Sequence, residues 1–231
     1  MPTNADPAFE VVTIKPSDTQ SSHGTFFTTR GRHSIASNVT VIDLISYAYE
    51  LHTRQIVDGP AWLAATRFEI DGVPDRDGHP NRNQSRIMFQ KLLATRFKLA
   101  FHHASRELPV YAVVLAKDGP RLTRTDRKPS DNTGFSYSSQ IVLTVRNSSI
   151  ADFADGMQDV FMDKPVVDRT GLNDRYDFVL KWTPDEAPAA DPNAPPDLFT
   201  AIQEQLGLKL VSTKAPVKVF VIDHIQKPSG N

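Results

Sequence analysis

Asn38-Val39-Thr40-Val41-Ile42-Asp43-Leu44 and Asn147-Ser148-Ser149-Ile150-Ala151-Asp152-Phe153 read as two versions of one helix start. Each holds a hydroxyl residue followed three positions later by an acid, Thr40/Asp43 and Ser149/Asp152. That is the spacing of a capping box, in which the hydroxyl accepts an amide of the first turn while the acid reaches back to the positive helix end. The two starts stand 109 positions apart (40 to 149). Working outward, Gln55-Ile56-Val57-Asp58-Gly59 corresponds to Lys164-Pro165-Val166-Val167-Asp168 with a one-residue slip. Arg67-Phe68-Glu69-Ile70 corresponds to Arg175-Tyr176-Asp177-Phe178 at an offset of 108 (67 to 175). Phe97-Lys98-Leu99-Ala100-Phe101 matches Leu206-Gly207-Leu208-Lys209-Leu210 at 109 (97 to 206), and Pro109-Val110-Tyr111-Ala112-Val113 matches Pro216-Val217-Lys218-Val219-Phe220 at 107 (109 to 216). So small a drift predicts an internal duplication, with halves at 1–120 and 121–231 packed as one globular body or two close subdomains.

Four segments carry helical period: Val41, Leu44, Ile45, Ala48 and Leu51; Ile87, Leu92, Leu93 and Phe97; Ile150, Phe153, Ala154, Met157 and Phe161; and Leu198, Ile202 and Leu206. Runs rich in β-branched and aromatic residues predict strands over 9–14, 25–29, 68–73, 99–103, 110–116, 140–145, 176–182, 208–212 and 217–225. Hairpins are expected at Arg30-Gly31 and Ser138-Ser139, and a corner at Arg106-Glu107-Leu108-Pro109. The Pro-rich stretch 184–196 reads as a mobile excursion. Many short strands and two helices per half predict an α+β fold, an internally duplicated unit of two helices packed on mostly antiparallel strands.

Composition removes several classes of function. The chain has 231 residues, 39% of them hydrophobic, enough to bury a core without a staple. With 26 Lys+Arg against 27 Asp+Glu, no global field attracts phosphates, which argues against nonspecific nucleic-acid binding. The absence of cysteine excludes a disulfide framework, a thiolate metal site and a cysteine nucleophile. The longest apolar run, Val110-Tyr111-Ala112-Val113-Val114-Leu115-Ala116, is far short of the ~20 residues of a spanning helix, so no transmembrane segment is expected. Met1-Pro2-Thr3-Asn4-Ala5-Asp6-Pro7 lacks the regions of a signal peptide, which fits either a cytoplasmic protein or one whose leader has been removed.

Several segments, taken in order, resemble the soil-associated protein family, a bacterial domain of unknown function expanded in soil bacteria. They include Phe9-Glu10-Val11-Val12-Thr13-Ile14-Lys15-Pro16-Ser17, Gly59-Pro60-Ala61-Trp62-Leu63 and Leu92-Leu93-Ala94-Thr95-Arg96-Phe97-Lys98-Leu99. Arg106-Glu107-Leu108-Pro109-Val110-Tyr111-Ala112, Pro165-Val166-Val167-Asp168-Arg169-Thr170-Gly171-Leu172 and Val221-Ile222-Asp223-His224 continue the match. Thr95 and Ala104-Ser105 depart from it, standing where an acid, and an acid and Thr, are usual. The resemblance implies no activity and no catalytic residues. It implies an extracytoplasmic home, because members look exported behind a leader and some are joined to a membrane metallopeptidase. The pattern over 198–225 is also similar to the short N-terminal domains of secretins and TonB-dependent receptors.

Candidate site residues are His102, Arg106, Asp168 and Trp62, for a ligand rather than for catalysis. Consecutive His102 and His103 on a strand face opposite ways, so both cannot hold one ion without a bulge. A metal shared between a His and Asp168, Asp223 or Glu107 is the sharper reading, and structural histidines the plainer one; His23, His33, His52 and His79 are scattered. Arg106 offers a planar fork for an anion, or else a surface ion pair. Asp168-Arg169-Thr170-Gly171 reads as a turn, its Arg breaking the Asp-Thr-Gly spacing of aspartic proteases. Trp62, with Phe68, Tyr176, Phe178 and Trp182 at or just before strands, lines a groove or packs in the core. Phosphate loops, nucleophile elbows and the His-Glu-x-x-His pair are missing from the sequence.

The expectation is a non-enzymatic extracytoplasmic binding or interaction module with an unknown protein or small-molecule partner in the cell envelope. No cofactor, metal or nucleic acid is implied. The alternatives are a soluble hydrolase using His102 or His103 with Asp168, and a self-assembling module like the secretin domains.

Overall fold

A computed structural model describes residues 1–2, 4–17, 24–129, 131, 133–138, 142–184 and 194–228. His23, Ser139 of the expected second hairpin, the start of the strand expected over 140–145 and most of the 184–196 stretch lie outside them. The described residues form an α+β fold of five helices and twelve strands. Two compact units divide it: Met1–Arg106 with Val217–Asn231, and Glu107–Pro216. The unit boundaries at 106/107 and 216/217 both fall inside long strands.

In the first unit β1 (Phe9–Pro16), β2 (Phe26–Arg30), β3 (His33–Thr40) and β5 (Arg67–Pro74) make an antiparallel sheet in the order β1-β5-β3-β2. The Arg30-Gly31 hairpin joins β2 to β3 as expected, with Gly31 at φ 59°. β3 shifts register between Ala36 and Val39, where Asn38 adopts φ 53°. Asn tolerates that left-handed backbone, and its amide is satisfied by Glu69 Oε1 at 2.9 Å. The bulge aims the chain into α1 (Val41–Tyr49), whose capping box forms: the Asp43 amide donates to Thr40 Oγ1 at 3.1 Å and the Thr40 amide to Asp43 Oδ2 at 2.9 Å. Helices α1 and α3 (Arg82–Arg96) bury Leu44, Ile45, Phe89, Leu93 and Phe97 with Ile70 of β5 in one core. A short strand β4 (Ile56–Val57) precedes the single helical turn α2 (Trp62–Ala65).

The second unit builds the same order from its own strands. β7 (Thr123–Arg124), β8 (Gly134–Ser138), β9 (Val142–Ser148) and β11 (Tyr176–Lys181) pair antiparallel as β7-β11-β9-β8. Asn147 takes φ 49°, and its amide donates to Asp177 Oδ1 at 2.7 Å. Ser149 and Asp152 then cap α4 (Ile150–Val160) with the same pair of bonds, 3.1 and 2.9 Å. The core of this unit gathers Leu143, Ile150, Phe153, Trp182, Ile202 and Leu208, with α5 (Leu198–Leu206) and the short strand β10 (Val166–Asp168) around it.

Three expectations are corrected. The corner at Arg106-Glu107-Leu108-Pro109 is no corner: β6 runs unbroken from Ala100 to Leu115. Likewise the two strands expected over 208–212 and 217–225 are one, β12 (Leu208–His224), passing through Pro216. Proline fixes φ near −65° and removes one donor, both compatible with an extended chain where that donor has no strand to meet. Trp62 also opens α2 instead of preceding a strand.

β6 is divided between the units at Arg106/Glu107, and β12 at Pro216/Val217. In the first unit Phe220 and Val221 of β12 pair parallel with Ile56 and Val57 of β4. In the second, Tyr111, Ala112 and Val113 of β6 pair parallel with Val166, Val167 and Asp168 of β10.

Candidate functional site

The sequence candidates His102 and Arg106 meet on one face of β6 in the first unit. Side chains alternate along a strand, so positions 102 and 106 share a face and 101 and 103 take the other. His102 Nδ1 lies 2.8 Å from Asp223 Oδ1 of β12. Arg106 spans to the residue after β4, with Nη1 donating to Asp58 Oδ1 at 3.0 Å and Nη2 to Oδ2. The result is a two-pronged charge-assisted pair, the geometry in which a guanidinium fork is strongest. On the opposite face Phe101 stacks on Phe220 with centroids 3.9 Å apart, and His103 approaches both rings by its edge at 5.5 and 5.9 Å. His102 and His103 therefore serve different surroundings.

Asp58 is the member the sequence reading missed. It sits at φ 63° directly after β4, a backbone that Asp tolerates better than most residues, and is followed by Gly59. The available signal was the Asp-Gly dipeptide directly after the β-branched pair Ile56-Val57. The hydrogen bonds from Arg106 hold the Asp58 carboxyl below the ordinary carboxylate range, against a smaller opposing effect of desolvation and with help from the Arg106 charge. Asp58, His102, Arg106 and Asp223 are exposed, so each pair is worth little in stability and serves mainly to fix orientation.

Trp62 and Asp168 stand apart from this face. Trp62 is half-buried against the first unit's core, with Lys227 Nζ 5.7 Å from its ring centroid. Asp168 belongs to the second unit, where its Oδ1 accepts the Thr170 amide at 2.8 Å and the Thr170 hydroxyl at 2.7 Å. Thr170 Oγ1 in turn accepts the Leu172 amide at 3.2 Å, and Gly171 takes φ 72°. This is the turn that the plainer reading describes. Asp168 is thus bonded locally, while His102 and His103 have their neighbours in the first unit. Among the described residues no three His, Asp or Glu side chains gather as a metal site, and no helix is long and apolar enough to cross a membrane.

A concave feature lies elsewhere in the first unit. Ala8 to Val12 on β1 and Lys91, Leu92, Thr95 and Arg96 on α3 line a groove of about 530 Å³. β1 is the terminal strand of its sheet, and its Val11 is 63% exposed. Its lining is apolar through Phe9, Val11, Val12 and Leu92 and charged through Glu10, Lys91 and Arg96. Lys91 Nζ is tied to Asp6 at 2.7 Å.

These features define an α+β protein with an exposed ion-paired sheet face and an apolar groove beside a terminal strand. The chain belongs to the family described as protein of unknown function DUF3738, which matches residues 42–225. No curated protein and no solved structure matches the chain.

Proposed function

We propose that this protein is an internally duplicated, extracytoplasmic binding module that takes a protein partner in the groove between β1 and α3. The groove carries the reading: it is concave, lined by both apolar and charged side chains and placed beside a strand at the end of a sheet. Extended chains commonly dock beside such strands, with side-chain pockets giving specificity. The extracytoplasmic setting rests on the exported look of the proteins that the sequence resembles.

Support for the duplication is a set of hydrogen bonds that recur at the offsets read from the sequence. Ser17 N donates to Arg67 O and Thr125 N to Arg175 O, both at 2.9 Å. Arg67 Nη1 donates to Asn38 O at 2.6 Å and Arg175 Nε to Asn147 O at 2.8 Å.

The test compares wild-type protein with Val11→Arg, which fills the groove from an exposed position and leaves the core untouched. Retention of a specific partner from envelope extracts by the wild type and its loss in Val11→Arg, at unchanged melting temperature, is the expected result. Equal retention by both proteins sinks the groove as the binding site. Fractionation of the producing cell checks the setting separately.

A further inference from the structure

We infer that the chain's two halves, meeting near Asp126, are obligate folding partners that close each other's cores by exchanging a strand segment. The first unit is made of Met1–Arg106 and, from the other end of the chain, Val217–Asn231. That distant segment is no peripheral strap. Phe220, fully buried, and Ile222 lie in the first unit's core with Leu44, Phe97 and Phe68. Phe220 also stacks on Phe101, and Gln226 N closes on Phe97 O at the end of α3.

The second unit shows the reciprocal arrangement. Its residues Glu107–Pro216 begin with the latter part of β6, which continues a strand begun in the first unit. Val113, fully buried, joins the core of Leu143, Phe153 and Leu208. Tyr111 to Val113 pair with β10, and Ala116 N reaches Gly207 O at the end of α5. A break at Asp126 therefore leaves neither product with a whole core. Residues 1–126 hold the first unit without Phe220 and Ile222, and residues 127–231 hold the second without Val113. Each fragment carries the segment that completes the other.

Two independently folding domains joined by a linker would behave oppositely, since a cut between them releases both. The inference is separate from the binding role of the groove, and either can fail alone. Asp126 is exposed and outside every strand, so a specific protease site inserted after it leaves the pairings in place. The whole chain, carrying this insertion, is purified, confirmed to melt like the parent, and then cut. The expected result is co-elution of both fragments at the uncut position in size-exclusion chromatography, with separation only in denaturant. Separation under native conditions overturns the inference. Should the insertion itself impair folding, residues 1–126 and 127–231 are co-expressed as two chains with a tag on one. Co-purification of the untagged fragment, and no dispersed amide spectrum from either fragment alone, supports the exchange. A monomeric fragment with a dispersed spectrum overturns it.

Discussion

Asp58 shows how one side chain can carry both strain and charge. Its φ of 63° is accepted because Arg106 anchors the carboxylate from two nitrogens. The folded-state pKa is depressed, so this group's contribution to stability is complete above the ordinary carboxylate pKa and is lost as pH falls through the lower folded value. Carboxyl carbon NMR should place the Asp58 midpoint below that of an unpaired aspartate, and Arg106→Leu should move it up toward the ordinary value. An unmoved midpoint would show that the pair does not persist in solution. Gly207 is the opposite case, a position that admits no side chain. It caps α5 at φ 63°, and an added Cβ would lie 2.0 Å from Gly119 O. Gly207→Ala should cost more than the ~1–2 kcal/mol of a left-handed backbone, because the clash is with main chain that cannot swing away. Thermal unfolding measures it.

At the scale of elements, the capping boxes and the long strands teach different things. Thr40 and Ser149 each accept the amide three residues on at 3.1 Å, so Thr40→Ala and Ser149→Ala should each lose about 1 kcal/mol in denaturant unfolding. A large inequality between the two would mean that the boxes bear unequal load. Caps were legible in the sequence because they are local: hydroxyl, acid and spacing stand within four residues. The continuity of β6 and β12 was not, since Pro109 and Pro216 are breakers by propensity and only pairing partners far along the chain keep the strands extended through them. Gly156 belongs to the same lesson. An added Cβ there would lie 2.5 Å from the Phe135 ring, so its bareness lets β8 lie close against α4.

For the whole molecule, the important variable is which residues share a core. Phe220 stands near the C-terminus of the sequence but is fully buried among Leu44, Phe97 and Phe68. Phe220→Ala should destabilise by about 3–5 kcal/mol, the usual range for a buried phenylalanine, with the largest amide shifts around Phe97 and Phe101. Shifts confined to residues 121–216 would instead assign Phe220 to the second unit. Thr183 donates from its amide to Pro196 O at 2.9 Å and from its hydroxyl to Pro195 O at 2.6 Å, bonds between residues that stand 13 and 12 positions apart.

Periodicity and cap spacing were enough to establish helices, most strands and the α+β class, because each depends on neighbours within a few residues. His102 and Arg106 were legible as candidates by residue type, although Arg106 was expected at a corner and not on a strand. Their partners Asp58 and Asp223 were fixed only by register, since a residue 48 positions away from Arg106 and one 121 away from His102 are brought within hydrogen-bond reach by strand pairing alone. The groove beside β1 and the allotment of β12 to the first unit are likewise tertiary facts. Burial chooses them by the fit of surfaces remote in the chain, and no local pattern encodes that choice.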